Sequence, residues 1–272
     1  MNSFLTRFFS AAVAVLLILV SYYFLSSTGL KLIIFLAVVI GSLELNTVLF
    51  QNTKSKSTKS LFFVFNVLIF LLSCWRPIYS GLVFAFFFVC FCVYSITVNR
   101  KFNDLNQLAS YQAKAALGFF YVGLLPSFAE NILDLPHGLW WFISLLSIVF
   151  AGDIGAYIIG LTLGRRKIMP EISPKKTVEG SLGGLMFSML AGLSCSLLFP
   201  HIESWKFLML SLATGVIGQF GDYFESLLKR VAHVKDSGGL MPGHGGVLDR
   251  IDGVLFACPI FLLGAIVLEK LI

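Results

Sequence analysis

The sequence predicts an all-α fold: a polytopic integral membrane helical bundle of about nine transmembrane helices. Three observations predict it. Only 12% of the 272 residues are charged, against about 25% in soluble domains, and 57% are hydrophobic, with 28 phenylalanines. Apolar runs follow one another with only short polar breaks, and most are near the ~20 residues that cross a ~30 Å hydrocarbon core. Lys and Arg gather on alternate breaks, as they do on the cytoplasmic loops of membrane proteins.

The runs are 5–25, 31–50, 60–75, 78–98, 111–130, 139–163, 181–199, 205–222 and 252–270. The first two are unbroken and are parted by Ser26-Ser27-Thr28-Gly29, which lacks a small-x-small cleavage context, so the first run is read as a span and not as a cleaved signal. The third is short and ends at Trp75-Arg76-Pro77, and the fourth is rich in Phe. The fifth is the weakest, because it holds Lys114, Pro126 and Glu130. It is kept because its loss would break the alternation of basic loops. The sixth carries Asp153, the eighth ends at Gly221-Asp222, and the ninth follows Arg250.

With the N-terminus inside, 16 of the 20 Lys and Arg residues fall on one side and 4 (Lys31, Arg76, Lys206, Lys270) on the other. The N-terminus and the charged loops are therefore expected in the cytoplasm, which in a bacterium means a multi-pass protein of the inner membrane with its site facing inward. The run Lys54–Lys59 reads as a topology signal that could also rest on anionic headgroups. Residues 1–135 are expected to form a transmembrane scaffold, and 136–272 a catalytic region with cytoplasmic loops. No internal repeat is visible. Cys74, Cys90, Cys92, Cys195 and Cys258 lie in or beside apolar runs and read as small buried hydrophobes. The net charge of +6 follows from the basic loops, so no nucleic-acid partner is implied.

Charge is not spread evenly. Residues 153–179 and 222–252 together hold 17 of the 34 charged residues, of both signs, and the basic-residue pattern puts both stretches on one side. Asp153 lies inside a span, where an ionisable group is either functional or held in an interhelical ion pair. Gly152, Ala156 and Gly160, spaced by four, let a neighbouring backbone approach closely beside it. Asp222, Ser226 and Lys229 or Arg230 share one face if the eighth helix runs on past the membrane. Gly238, Gly239, Pro242, Gly243, Gly245 and Gly246 forbid regular helix and allow backbone N–H groups close to a phosphate. A helix should begin near Asp249, with Asp249 and Asp252 on one face. Pro174 and Gly180 bracket Lys175-Lys176 as a loop that could close over a phosphate. Hard carboxylate oxygens beside Lys and Arg suit Mg²⁺ plus a polyphosphate, which points to phosphoryl or nucleotidyl transfer.

The stretch Ser226-x-x-Lys229-Arg230-x4-Lys235-Asp236-x-Gly238-x3-Pro242-Gly243-His244-Gly245-Gly246-x-Leu248-Asp249-Arg250-Ile251-Asp252 resembles the signature of the phosphatidate cytidylyltransferase (CDP-diacylglycerol synthase) family. A second block resembles that family's upstream motif: Asp153-x-x-Ala156-Tyr157-x-x-Gly160, then Ser173-Pro174-Lys175-Lys176-Thr177-x-Glu179-Gly180. The resemblance implies transfer of CMP from CTP to phosphatidate, giving CDP-diacylglycerol and pyrophosphate. It implies Mg²⁺ on Asp222 and Asp249, and leaves room for a second cation and for a homodimer. It implies catalytic roles for Asp153, Lys229, Arg230, Lys235, Asp236, His244, Arg250 and Asp252. Substrate contacts are implied for Ser173, Lys175, Lys176, Thr177, Glu179, Ser226, Gly245 and Gly246. Two other readings compete with it. A CTP-dependent polyprenol kinase would transfer the γ-phosphate, and a transporter would carry its polar groups near the midplane of two related halves.

Overall fold

The computed structural model describes residues 3–51, 55–98, 105–239 and 245–270. Its elements are helices α1 (Ser3–Leu49), α2 (Lys56–Trp75), α3 (Ser80–Val98), α4 (Leu105–Gly118), a π-helical turn (Phe119–Leu124), α5 (Leu125–Leu133), α6 (Gly138–Thr162), α7 (Val178–Ser196), α8 (Ser204–Val231) and α9 (Leu248–Leu268). Seven stretches of the described residues are long and apolar enough to cross a membrane: Leu16–Leu49, Lys56–Trp75, Pro77–Thr97, Leu105–Leu133, Gly138–Thr162, Val178–Ser196 and Leu248–Leu268. Large apolar side chains such as Leu82, Phe86, Leu161, Leu190 and Leu263 stay exposed, as lipid-facing residues must.

Seven stretches meet that criterion where nine were expected, and the difference has two sources. The first two predicted runs are two helical segments that meet at a sharp break at Ser26, whose φ of 53° and ψ of −139° are not helical, and they count together as the one stretch Leu16–Leu49. The kink is sharp, because the Ser21 hydroxyl donates to the Gly29 carbonyl at 3.2 Å across eight residues. Those groups would stand ~12 Å apart along a straight helix. A β-carbon at Gly29 would collide with the Ser21 carbonyl, so glycine is required there. The second source is α8, which is 28 residues long but carries Gln219, Asp222, Glu225, Lys229 and Arg230 along its later turns.

The chain forms two compact units. The first joins Met1–Glu130 with Ala232–Asp249. Its core is aromatic: Phe62 stacks on Phe119 at 5.3 Å and Phe91 on Tyr111 at 5.7 Å, with Phe50 edge-on to Phe62 and Tyr111. Gly118 lies against the Phe62 ring. The end of α1 is tied to the start of α2 by Asn46 Nδ2 donating to the Lys59 carbonyl at 2.7 Å. The weak fifth span is helical from Leu105 to Leu133, but through the π turn. Pro126 lies two residues past the turn, in the first turn of α5, where its lack of an N–H is tolerated beside the shifted hydrogen-bond register.

The second unit joins Asn131–Val231 with Arg250–Ile272. Helices α6, α7, α8 and α9 pack through small residues. A β-carbon at Gly184 would lie 2.8 Å from the Gly152 carbonyl, and one at Gly180 would lie 2.9 Å from the Ala156 carbonyl and 3.0 Å from the Gly160 Cα. The predicted small face of α6 is thus where α7 approaches. Trp141 closes one end, wholly buried beside Phe199, Phe207 and Phe261. Its indole N–H donates to Glu269 Oε1 at 2.9 Å. Of the five cysteines, Cys195 and Cys258 are buried while Cys74, Cys90 and Cys92 are half-buried, and all are free thiols.

Candidate active site

Within the second unit, the loop after α6 folds back on the start of α7. Thr177 caps α7, its hydroxyl accepting from the Gly180 N–H at 3.1 Å. The loop therefore closes at Thr177, and Gly180 lies inside the helix and not at the loop's edge. Glu179 Oε2 accepts the Arg165 and Arg166 N–H groups at 2.9 and 3.1 Å, and Lys167 bridges to Thr177 in a short antiparallel contact. Glu179 thus anchors the loop that presents Ser173, Lys175 and Lys176. Ser173 turns the loop, its N–H reaching the Met169 carbonyl at 2.9 Å and its carbonyl accepting from the Lys176 N–H at 3.3 Å. Lys175 is exposed.

The C-terminal turns of α8 meet this loop. Lys176 Nζ lies 2.5 Å from Asp222 Oδ2 and 4.0 Å above the Tyr223 ring. Arg230 Nε donates to the Ile172 carbonyl at 3.1 Å. Asp222 Oδ1 accepts from Ser226 Oγ at 3.5 Å, on the helix face expected for them. Lys229 pairs with Glu225, four residues back and buried. Asp153 lies within electrostatic reach of Asp222, Lys176 and Arg250, and Asp252 within reach of Asp222, Asp153 and Lys229. Three carboxylates and three cations of the second unit therefore share one electrostatic environment. The close approach of α8 and α9 helps to set it, because a β-carbon at Gly221 would lie 2.5 Å from the Asp252 carbonyl.

Within the first unit, the glycine-rich segment closes on Asp249. Asp249 Oδ2 accepts from the Gly246 N–H at 2.7 Å and from the Ser237 N–H and hydroxyl, both at 3.0 Å. Gly245 has φ +83°, a region glycine enters without strain. A β-carbon there would lie 2.5 Å from Asp249 Oδ2 and 3.4 Å from the Asp236 β-carbon. Lys235 and Asp236 are exposed on the same segment. Helix α9 begins at Leu248, as expected, with Asp249 in its first turn. His244 lies outside the described residues.

Mg²⁺ takes hard oxygen ligands and is held by one or two carboxylates plus waters and substrate phosphates. Asp222 supplies such oxygens and faces a cation, the Lys176 ammonium, with Asp153 and Asp252 nearby. The donor chemistry fits a hard divalent ion of that open kind. Among the described residues no set of three or more His, Cys, Asp or Glu side chains forms a closed metal cage.

Sequence reading missed three groups around these residues. Tyr223 is the platform under Lys176, but one aromatic in an apolar helix carries no signal by itself. Glu225 was counted only as charge, although its spacing of four from Lys229 was readable. Glu44 is a buried acid in the run 31–50, a signal equal to that of Asp153.

Polytopic helices and a mixed carboxylate–cation cluster toward one end of α6, α7, α8 and α9 define a multi-pass membrane protein with a charged site. Residues 5–267 match the model of the cytidylyltransferase family, and the chain belongs to that family. It is similar to a phosphatidate cytidylyltransferase of Bacillus subtilis, 41% identical over 148 residues, which are 53% of this chain and 54% of that relative. Phosphatidate cytidylyltransferases of Staphylococcus epidermidis (38% over 175 residues, 62% of this chain and 64% of theirs) and Brucella suis (38% over 168 residues, 61% and 62%) are similar too. The matched stretches thus span between 54% and 64% of these curated relatives.

Proposed function

We propose that this protein is a CTP:phosphatidate cytidylyltransferase, which transfers CMP from CTP to phosphatidate and releases pyrophosphate, supplying CDP-diacylglycerol for phospholipid biosynthesis. The observation that carries the reading is the Lys176–Asp222 contact over Tyr223, with Asp153 in reach of Asp222, Lys176 and Arg250, and Asp252 in reach of Asp222, Asp153 and Lys229. Carboxylates and cations interleaved in this way hold a divalent ion and phosphates together. Family membership and the activity of the named relatives support the same substrates.

The phosphatidate phosphate is already anionic, so no protein nucleophile is needed. One of its oxygens attacks the α-phosphorus of CTP, a new P–O bond forms, and the bond to the β-phosphate oxygen breaks. The obstacle is repulsion between anions, and positioning with charge stabilisation does most of the catalysis. Mg²⁺, held by Asp222 and Asp249, would neutralise phosphate charge when bound. Lys175, Lys176, Lys229, Arg230, Lys235 and Arg250 bind phosphate oxygens and hold the leaving pyrophosphate. Gly245 and Gly246 let the backbone come close, with His244 as a donor beside them. Asp153, Asp236 and Asp252 orient the cations, and Ser173, Thr177, Glu179 and Ser226 set the loop and the face of α8.

In this reading residues 136–272 carry most of the chemistry. The site opens to the cytoplasm, the N-terminus is inside, and the acyl chains remain in the bilayer. The test is purified protein in mixed micelles. Pyrophosphate release that needs phosphatidate, CTP and Mg²⁺ together supports the reading, and release without phosphatidate contradicts it.

A further inference from the structure

Glu44 lies in the C-terminal limb of α1, is 7% exposed, and plays no part in the chemistry above. Burying an ionisable carboxylate in an apolar helix is costly unless each oxygen finds a donor. Here both do. Glu44 Oε1 accepts from the Val247 N–H at 3.0 Å, and Oε2 accepts from the Leu248 N–H at 3.0 Å and the Ser237 hydroxyl at 3.3 Å. The two N–H groups belong to the start of α9, where a helix leaves donors unpaired and carries partial positive charge.

Gly238 and Gly246 leave room for this carboxylate. A β-carbon at Gly238 would collide with Glu44, and one at Gly246 would lie 2.5 Å from Glu44 Oε2. One turn earlier on α1, Gly41 leaves room for the Leu248 side chain, 3.0 Å from where a β-carbon would stand. The same segment is held from its other side by Asp249 through Ser237 and the Gly246 N–H. The single Ser237 hydroxyl proton lies between Glu44 and Asp249, at 3.3 and 3.0 Å, so the two carboxylates are linked through one side chain.

We infer that Glu44 is a positioning residue for the transfer site: its carboxylate clamps the Val247 and Leu248 N–H groups and Ser237, and so fixes where α9 begins and where Asp249 points. Gly238 and Gly246 then serve the approach of this carboxylate, alongside any phosphate contact. The catalytic consequence rests on the proposed cytidylyl transfer. The clamp itself rests on geometry within one unit.

The test is Glu44→Gln with Ser237→Ala as a milder partner, each purified in detergent without substrate. Gln keeps the size but turns one acceptor into an NH₂ facing donors, while Ala removes only the hydroxyl. In Glu44→Gln, amide hydrogen exchange of peptides covering 245–250 should quicken by about tenfold or more, the loss expected for one charge-assisted hydrogen bond. Exchange in α6 and α7 should stay as in the wild type. The Mg²⁺ concentration for half-maximal activity and the KM for CTP should rise, and Ser237→Ala should show the same pattern more weakly. Unchanged exchange at 245–250 overturns the inference. So does faster exchange spread through α1 and α2 with normal kinetics per folded molecule, which would make Glu44 a fold anchor only. A wild-type protein that makes no CDP-lipid contradicts the proposed function, and the exchange result still decides the clamp.

Discussion

Asp153 is an acid within an apolar helix, accessible on its surface and surrounded by the charges of Asp222, Lys176 and Arg250. A purely structural acid would pair with one partner, whereas one in reach of both signs can tune a phosphate site. Asp153→Asn keeps the shape and removes the charge. It should lower turnover by about 100-fold, the scale of losing one electrostatic contributor, while the melting temperature in detergent stays near wild type. Near-normal turnover with a lowered melting temperature would make Asp153 a scaffold residue. Lys176 contacts Asp222 and the Tyr223 ring, and both contacts would have to loosen for its ammonium to reach a phosphate. Lys176→Gln should therefore raise the KM for CTP or lower kcat, and Lys175→Gln with Lys176→Gln should do so more strongly. A double variant with wild-type kinetics would reduce both lysines to topology signals. At this scale the sequence was informative about residue types, because an acid in a span and a basic pair in a short loop are visible from composition. Partners were less visible. Glu44 reaches Val247 and Leu248 across some two hundred residues, and Lys176 meets Asp222 across forty-six.

The elements that carry these residues were legible where local chemistry decides them. The start of α9 followed from the end of a glycine-rich run, and the shared face of Asp222 and Ser226 was conditional on α8 running past its apolar part, which it does, to Val231. The loop before α7 was placed correctly but ended three residues early, at the Thr177 cap and not at Gly180. The glycine spacing on α6 indicated a close neighbour, and α7 is that neighbour. Gly184→Leu should force these backbones apart, because a β-carbon alone comes within 2.8 Å of the Gly152 carbonyl and Gln219 Nε2. Overpacking of this kind costs about 1–3 kcal/mol. A clearly lower melting temperature together with lost activity is expected, and an unchanged melting temperature would contradict the packing described. The break at Ser26 falls in the Ser26-Ser27-Thr28-Gly29 stretch that parts the first two apolar runs, whereas nothing in the apolar pattern marks the π turn at Phe119–Leu124.

For the whole molecule, composition and the spacing of apolar runs were enough for the membrane class, because few other chains combine 57% hydrophobic residues with 12% charge. The number of spans was less secure, since α8 carries too many polar residues to count as a span and the first two runs meet at Ser26 and count as one stretch. The association of Ala232–Asp249 with the N-terminal unit was invisible too, because it depends on contacts distant in sequence. The proposed transfer requires a hard divalent ion. Chelation with EDTA should abolish transfer and added Mg²⁺ should restore it, whereas full activity in EDTA would remove the metal from the site. The central claim is that this cluster directs attack at the α-phosphorus of CTP. Purified protein given phosphatidate and CTP labelled at either the α- or the γ-phosphate tests it most directly. Lipid that takes up the α-label, with the γ-label leaving as pyrophosphate, is the expected result. Lipid that takes up the γ-label, or neither label, would contradict it.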